Sequence, residues 1–131
     1  GFLMFEGTQK PALKRQVDFD QEGQSVFCNN KYVGITYANA KKEGNWHIKV
    51  YDLNGNTVME NDTAIAYNKI EFLDRNEVCV RDDYNCEIYT IHSIRKFAYT
   101  FDQTLYKILS GADATSYTFV LSGETDEVRL K

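Results

Sequence analysis

Between Ser25 and Glu60 the apolar residues come in short bursts at every second position. Val33 and Ile35 alternate within VGI, and Ile48 and Val50 alternate within HIKV. A period of two is that of a half-buried strand. Polar stretches divide the bursts: NNK (29–31), AKKEGN (40–45) and NGN (54–56). Asn and Gly accept the positive φ that tight hairpin turns require. The stretch therefore predicts four strands joined by three turns, with NDT (61–63) as a further turn. Downstream the logic recurs. Ile70/Phe72 and Val78/Val80 flank DRNE, and CEIYTIH (86–92) and KFAYTFD (96–102) complete a second four. LYKIL (105–109), YTFVLSG (117–123) and DEVRLK (126–131) predict three more strands, with SGADATS as the turn after the first. Upstream, GFLMFEG and KRQVDFD predict two strands around a loop holding Pro11, and Gln21–Gly23 predicts a turn.

The groups keep a common spacing. Third-strand apolar pairs begin at Phe2, Ile48, Ile88 and Val128, at intervals of 46, 40 and 40 residues; second-strand pairs begin at Val33, Val78 and Phe119, at 45 and 41. A repeat of this length, four strands at a time, has the size of a propeller blade. The fold class expected is all-β, with repeated four-stranded antiparallel blades forming a partial β-propeller. Residues 1–20 would end one blade, 25–60 and 69–101 would be full blades, and 105–131 an incomplete last one. An isolated β-sandwich is the competing architecture, but it has no reason to repeat in fours. Propellers close as rings of about four to eight blades. Further upstream blades, or self-association, are thus expected to cover the open edges.

The segment CNNKYVGITYANAKKEGNWHIKVYDLNGNTV (28–58) resembles WD40-like and quinoprotein-like propeller repeats. The shared order is turn, Lys, Tyr, apolar strand, loop, apolar strand, Asp, Leu, turn. The Gly-His and Trp-Asp pairs of WD40 repeats are missing; Tyr51–Asp52 and Ile91–His92 hold the matching places. The ending, FVLSGETDEVRLK, resembles the tail of an uncharacterised propeller-like family from Gram-positive bacteria. Its members carry an amino-terminal membrane anchor and place the propeller outside the cell. The resemblance implies that this chain is the carboxy-terminal part of such a protein, on the extracytoplasmic face of the membrane.

Composition narrows the function classes. The 131 residues are 43% hydrophobic and 26% charged, with nine Tyr, eight Phe and one Pro, which suits a strand-rich globular chain. A net charge of −4 argues against a nucleic-acid partner. The longest apolar run, FLMF, is far short of the roughly 20 residues of a membrane span, so no membrane contact by this segment itself is expected.

No motif announces catalysis. G-x-S-x-G, G-x-G-x-x-G and Walker patterns are absent. DLNGN lacks the Gly and Glu positions of a calcium loop, so it reads as a hairpin turn on Asn54–Gly55. His47 and His92 share no spacing with further ligands, and no metal or cofactor is expected. Asp82–Asp83 and Glu60/Asp62 read as solvated acids at turns, and Asn61–Asp62–Thr63 is a glycosylation sequon. Cys28, Cys79 and Cys86 make an odd count; with a turn centred on Asp82–Asp83, the latter two would face each other across a hairpin.

The aromatic supply is the better functional hint, because Tyr and Trp dominate interface energetics. Tyr37, Trp46 and Tyr84 are the candidate binding residues. The reading is a non-enzymatic recognition or scaffolding module with a protein or glycan partner. The alternative is a propeller enzyme, or a sugar- or cofactor-binding protein, with its site in upstream blades or in the loops at 8–15 and 40–45.

Overall fold

The computed structural model describes residues 2–6, 12–17, 25–111, 113, 116–122 and 124–129. Every regular element among them is a β-strand. Strands β1 (Phe2–Glu6) and β2 (Ala12–Val17) form a hairpin. A four-stranded meander follows, of β3 (Ser25–Cys28), β4 (Tyr32–Ala38), β5 (Trp46–Asp52) and β6 (Thr57–Thr63). A second has β7 (Lys69–Leu73), β8 (Glu77–Arg81), β9 (Asn85–Thr90) and β10 (Arg95–Thr100). The last sheet has three strands, β11 (Leu105–Ser110), β12 (Ser116–Leu121) and β13 (Glu124–Arg129). All pairings are antiparallel between sequence neighbours, and no sheet closes on itself. The turn expected at Gln21–Gly23, the loop around Pro11 and Leu130 lie outside the described residues.

Short polar side chains set the turns. Asn29 Oδ1 accepts from the amides of Lys31 and Tyr32 at 2.8 and 2.7 Å; Asp52 Oδ1 accepts from Asn54 and Asn56 at 2.9 and 3.0 Å; Asp82 Oδ1 accepts from Tyr84 and Asn85 at 2.8 and 2.6 Å. Each is an Asx turn that reverses the chain locally. Gly55 supplies the positive φ of the β5–β6 turn, as NGN suggested.

Consecutive sheets share buried faces. Ile48, Val50 and Met59 pack with Ile70, Val78, Val80, Tyr89 and Ile91 between the two meanders. Gly34 makes the close approach possible: a Cβ there would lie 3.1 Å from Ile70 Cδ1 and 3.3 Å from Phe72 Cζ. Cys79, Cys86 and Ile88 pack with Phe101, Leu105, Ile108, Tyr117, Phe119 and Leu121 between the second meander and the last sheet. Each such aliphatic side chain taken from water contributes roughly 1.5–3 kcal/mol.

Two expectations are corrected. Asn61–Thr63 is not a turn but the end of β6, where Asn61, Asp62 and Thr63 pair with Ile48, His47 and Trp46. The β8–β9 turn runs from Asp82 to Asn85 (Asp82 N donates to Asn85 O at 3.0 Å), so it centres on Asp83–Tyr84, one residue later than a turn centred on Asp82–Asp83. Cys86 therefore pairs with Arg81 and Cys79 with Ile88, and both cysteines are free and buried while Cys28 is free and exposed.

Candidate functional site

The end of the first meander that carries the β4–β5 loop gathers most of the unexplained polar and aromatic side chains. The pairing register aligns Tyr37, His47 and Asp62 across β4, β5 and β6, with Lys49 opposite Glu60 one pair further along the same face. Alternation sends Ala38, Trp46 and Thr63 to the other face. The loop between Tyr37 and Trp46 is held by its own backbone. Asn39 N donates to Asn45 O at 2.9 Å, Asn45 N donates to Lys42 O at 3.1 Å, and Gly44 supplies a φ of 82°.

His47 lies between two carboxylates, with Nδ1 2.6 Å from Asp62 Oδ1 and Nε2 2.7 Å from Glu60 Oε1. An ionised carboxylate only accepts, and a neutral imidazole has a single N–H. Both contacts are hydrogen bonds together only when both ring nitrogens carry protons. Asn39 Nδ2 donates to Asp62 Oδ1 at 3.4 Å, and Lys49 Nζ stands 3.8 Å from Glu60 Oε1. The hydrogen bond from His47 holds the Asp62 carboxyl below the usual aspartate range. Burial pushes the Tyr37 phenol up; Lys49 opposes the shift, and the charges of Glu60 and Asp62 add to it. The Tyr37 and His47 rings lie 5.5 Å apart and, with Asn39, Ala40 and Lys41, line an open cleft of about 330 Å³. It offers donors and acceptors of both signs beside an aromatic wall, which suits a ligand recognised by hydrogen bonds and ring contact.

On the opposite face Trp46 is half-buried and meets Tyr67, their rings 4.8 Å apart and tilted by 53°. Tyr67 belongs to the β6–β7 connection, which is anchored on both sides. Ile65 is buried, its amide donates to Thr63 Oγ1 at 3.2 Å, and Asn68 Nδ2 donates to Ile65 O at 2.9 Å.

Of the candidate binding residues, Tyr37 and Trp46 are neighbours in space but on opposite faces of the sheet. Tyr84 is apart from both, 48% exposed on the β8–β9 turn. It shares the end of the second meander with the β10–β11 connection: its carbonyl accepts from Phe101 N at 2.7 Å. No pocket joins the three among the described residues. The structure adds His47, Glu60, Asp62 and Asn39. Their signal in the sequence is register: with the turn centred on Asn54–Gly55 and β6 running past Glu60, cross-strand counting sets Asp62 opposite His47. His92 lies in the β9–β10 turn, and among the described residues no three His, Cys, Asp or Glu side chains are placed to hold a metal.

No curated protein and no solved structure matches this sequence. A family profile does, over residues 1–130: the chain belongs to a family of unknown function, DUF5711.

Proposed function

We propose that the chain is a non-enzymatic recognition and scaffolding module, a segment of a β-propeller whose partner is held at the end of the sheets carrying Tyr37, Trp46 and Tyr84. One observation carries this reading: successive four-stranded meanders stack through buried faces, as blades do, and leave aromatic and hydrogen-bonding side chains at one end. Rigid sheets below and short self-bonded loops above are how binding side chains are commonly positioned. Ring closure needs more blades than these sheets supply, so further sheets of the intact protein or a second copy complete it. The resemblance to Gram-positive membrane-anchored propellers supports an address on the extracytoplasmic face of the membrane, where wall glycans and surface proteins are the available partners.

The test is capture. Immobilised chain should retain a wall glycan or surface protein from Gram-positive envelope extract, and Tyr37→Ala or Trp46→Ala should release it while the fold persists. Retention of neither, or retention that ignores both substitutions, would sink the reading. The alternative of a propeller enzyme draws on His47, an imidazole between two carboxylates beside an open cleft. Turnover of a glycoside or other wall substrate that is lost in His47→Gln would favour it.

A further inference from the structure

Tyr67 is one of four non-glycine residues at positive φ among the described residues, with Arg75, Asn76 and Ser93, and the one aromatic among them. It is 83% exposed, yet it is a bulky non-glycine residue held at φ 51°. Side chains with a Cβ avoid this region, and Asn or Gly would occupy it at less cost. The connection does not need a tyrosine to hold its shape, because the buried Ile65 and Asn68 already pin it. Residues held in sparsely populated backbone regions cluster at ligand clamps and active sites, where the strain pre-organises a contact. What Tyr67 touches is Trp46, the only tryptophan of the chain.

The surroundings narrow the occupant. Two tilted rings offer a small apolar surface, whereas a stable protein interface seals a core of several hundred Å² around its hot spots. Beyond the rings the β4–β5 loop is polar, with Lys41, Lys42 and Glu43 exposed. Charges of both signs are interspersed, which gives no field for a polyanion or a polycation. A pyranose matches this mixture: its C–H face lies on an aromatic ring while its hydroxyls meet amides and charged groups.

We propose that Trp46 and Tyr67 form a stacking platform for the apolar face of a neutral pyranose, so that the partner of this module is an uncharged glycan. This rests on the recognition reading above and names its ligand class. The tilt lets one ring carry the sugar face while the other closes on its edge, and the constrained backbone keeps Tyr67 in place before the ligand arrives, which lowers the ordering cost of binding.

Emission from the single tryptophan reports directly on the platform. The full chain is titrated with the β-1,4-linked tetramer of N-acetylglucosamine and with cellohexaose, up to about 1 mM, the range of weak single-site contacts. A saturable change with either sugar is expected. In Tyr67→Asn it should weaken by at least about tenfold, the measure of one lost hot-spot contact, while the melting temperature stays level or rises because the positive φ is relieved. Three results would overturn the platform: no response to either oligosaccharide, an unchanged response in Tyr67→Asn, or a Tyr67→Asn chain that melts distinctly earlier, which would make the tyrosine a packing residue. Absence of a sugar response, with Tyr37-dependent capture of a surface protein intact, removes the glycan assignment and leaves the recognition reading. Absence of both removes the two together.

Discussion

Val78 and Val80 leave β8 on one side, Glu77, Cys79 and Arg81 on the other, and all five residues are buried. The strand thus belongs to two sheet–sheet contacts with different chemistry. Toward the first meander the contact is aliphatic and close, built from Ile48, Val50, Met59, Ile70, Val78 and Val80, with Gly34 removing the side chain that would hold the sheets apart. Toward the last sheet it is sulfur and aromatic in the middle and ionic at its ends. Phe97, Phe101, Tyr117 and Phe119 form a run of ring contacts at 5.0–6.4 Å. At one end Glu77 Oε2 accepts from Lys96 Nζ at 2.6 Å and from the Tyr117 hydroxyl at 2.8 Å. At the other Arg81 donates to the carbonyl of Leu105 and, at 3.2 Å, to Glu71 Oε1. Aliphatic packing of this kind is non-directional, so the first contact is fixed by shape. The second is fixed by directed bonds, which tolerate only one alignment of the sheets.

The sharpest way to break this contrast is to remove one buried ion partner. Arg81→Met takes a donor from the Glu71 carboxylate and from the Leu105 carbonyl, and Glu77→Ala takes the carboxylate acceptor from the Tyr117 hydroxyl and one ion partner from Lys96. Each should cost about 1.5–3 kcal/mol in urea unfolding, because the charges left behind, Glu71 and Lys96, are partly solvated. Replacing the whole group at once, Glu77→Leu with Lys96→Leu and Tyr117→Phe, should recover most of that loss, because no polar atom is then stranded. Single losses below about 1 kcal/mol would mean that the ions are incidental and the two contacts alike. On the shape-fixed side the matching change is Gly34→Val. The added methyls must displace Ile70 and Phe72, for about 1–3 kcal/mol of overpacking, with Gly34→Ala costing less.

The shape-fixed contact could be read in advance and the directed one could not. Alternation at Ile48/Val50 and Val78/Val80 names residues that are buried in the shape-fixed contact, alternation at Val33/Ile35 names residues buried on the other face of the first meander, and NGN marks the turn that Asp52 and Gly55 build. Period-two apolar patterning is a local signal, so it survives without knowing what packs on what. In the sequence Glu77 belongs to the DRNE turn and Arg81 carries no mark, because the partners of Glu77, Lys96 and Tyr117, lie 19 and 40 residues away and that of Arg81, Leu105, lies 24 away. The candidate site fails for a related reason. Glu60–Asn61–Asp62–Thr63 has no apolar alternation, so the pattern ends the strand at Glu60, and the pairing of Asp62 with His47 is hidden with it. The Cys79–Cys86 facing was lost to a single turn residue, since one position shifts every cross-strand pair beyond it. Nothing in the sequence marks Tyr67, whose distinction is a backbone angle and an exposure.

Near neutral pH the expected effect on stability is the smallest of these; there the two contacts are separated by thiol chemistry, and at alkaline pH by titration. Burial pushes the Cys79 thiol well up and the Cys86 thiol up to about 12, and it also raises the Tyr117 phenol, all three in the directed contact. These acids ionise more easily in the unfolded chain, where a thiol titrates near ~8.5. Their contribution is therefore complete below that value and is lost as pH rises toward the folded ones. Stability should be level to about pH 8 and then fall from about pH 9 toward 12, at about 1.4 kcal/mol per pH unit for each thiol that stays protonated only in the folded state. Cys86→Ala should lower the plateau and flatten the fall. In the aliphatic contact the corresponding group is Tyr89, raised by burial to about 12 from the higher ordinary value of a phenol, so its share is lost later in the titration. Alkylation gives an independent reading at neutral pH. Cys28 is exposed and should react in the native chain, whereas Cys79 and Cys86 should wait for the last sheet to separate from the second meander. In Arg81→Met the two buried thiols should become reactive faster while the Cys28 rate stays put; in Gly34→Val they should gain only what the global loss of stability predicts. Equal acceleration in the two variants would show that the sheets part together, and that the chemical difference between the contacts does not divide the molecule.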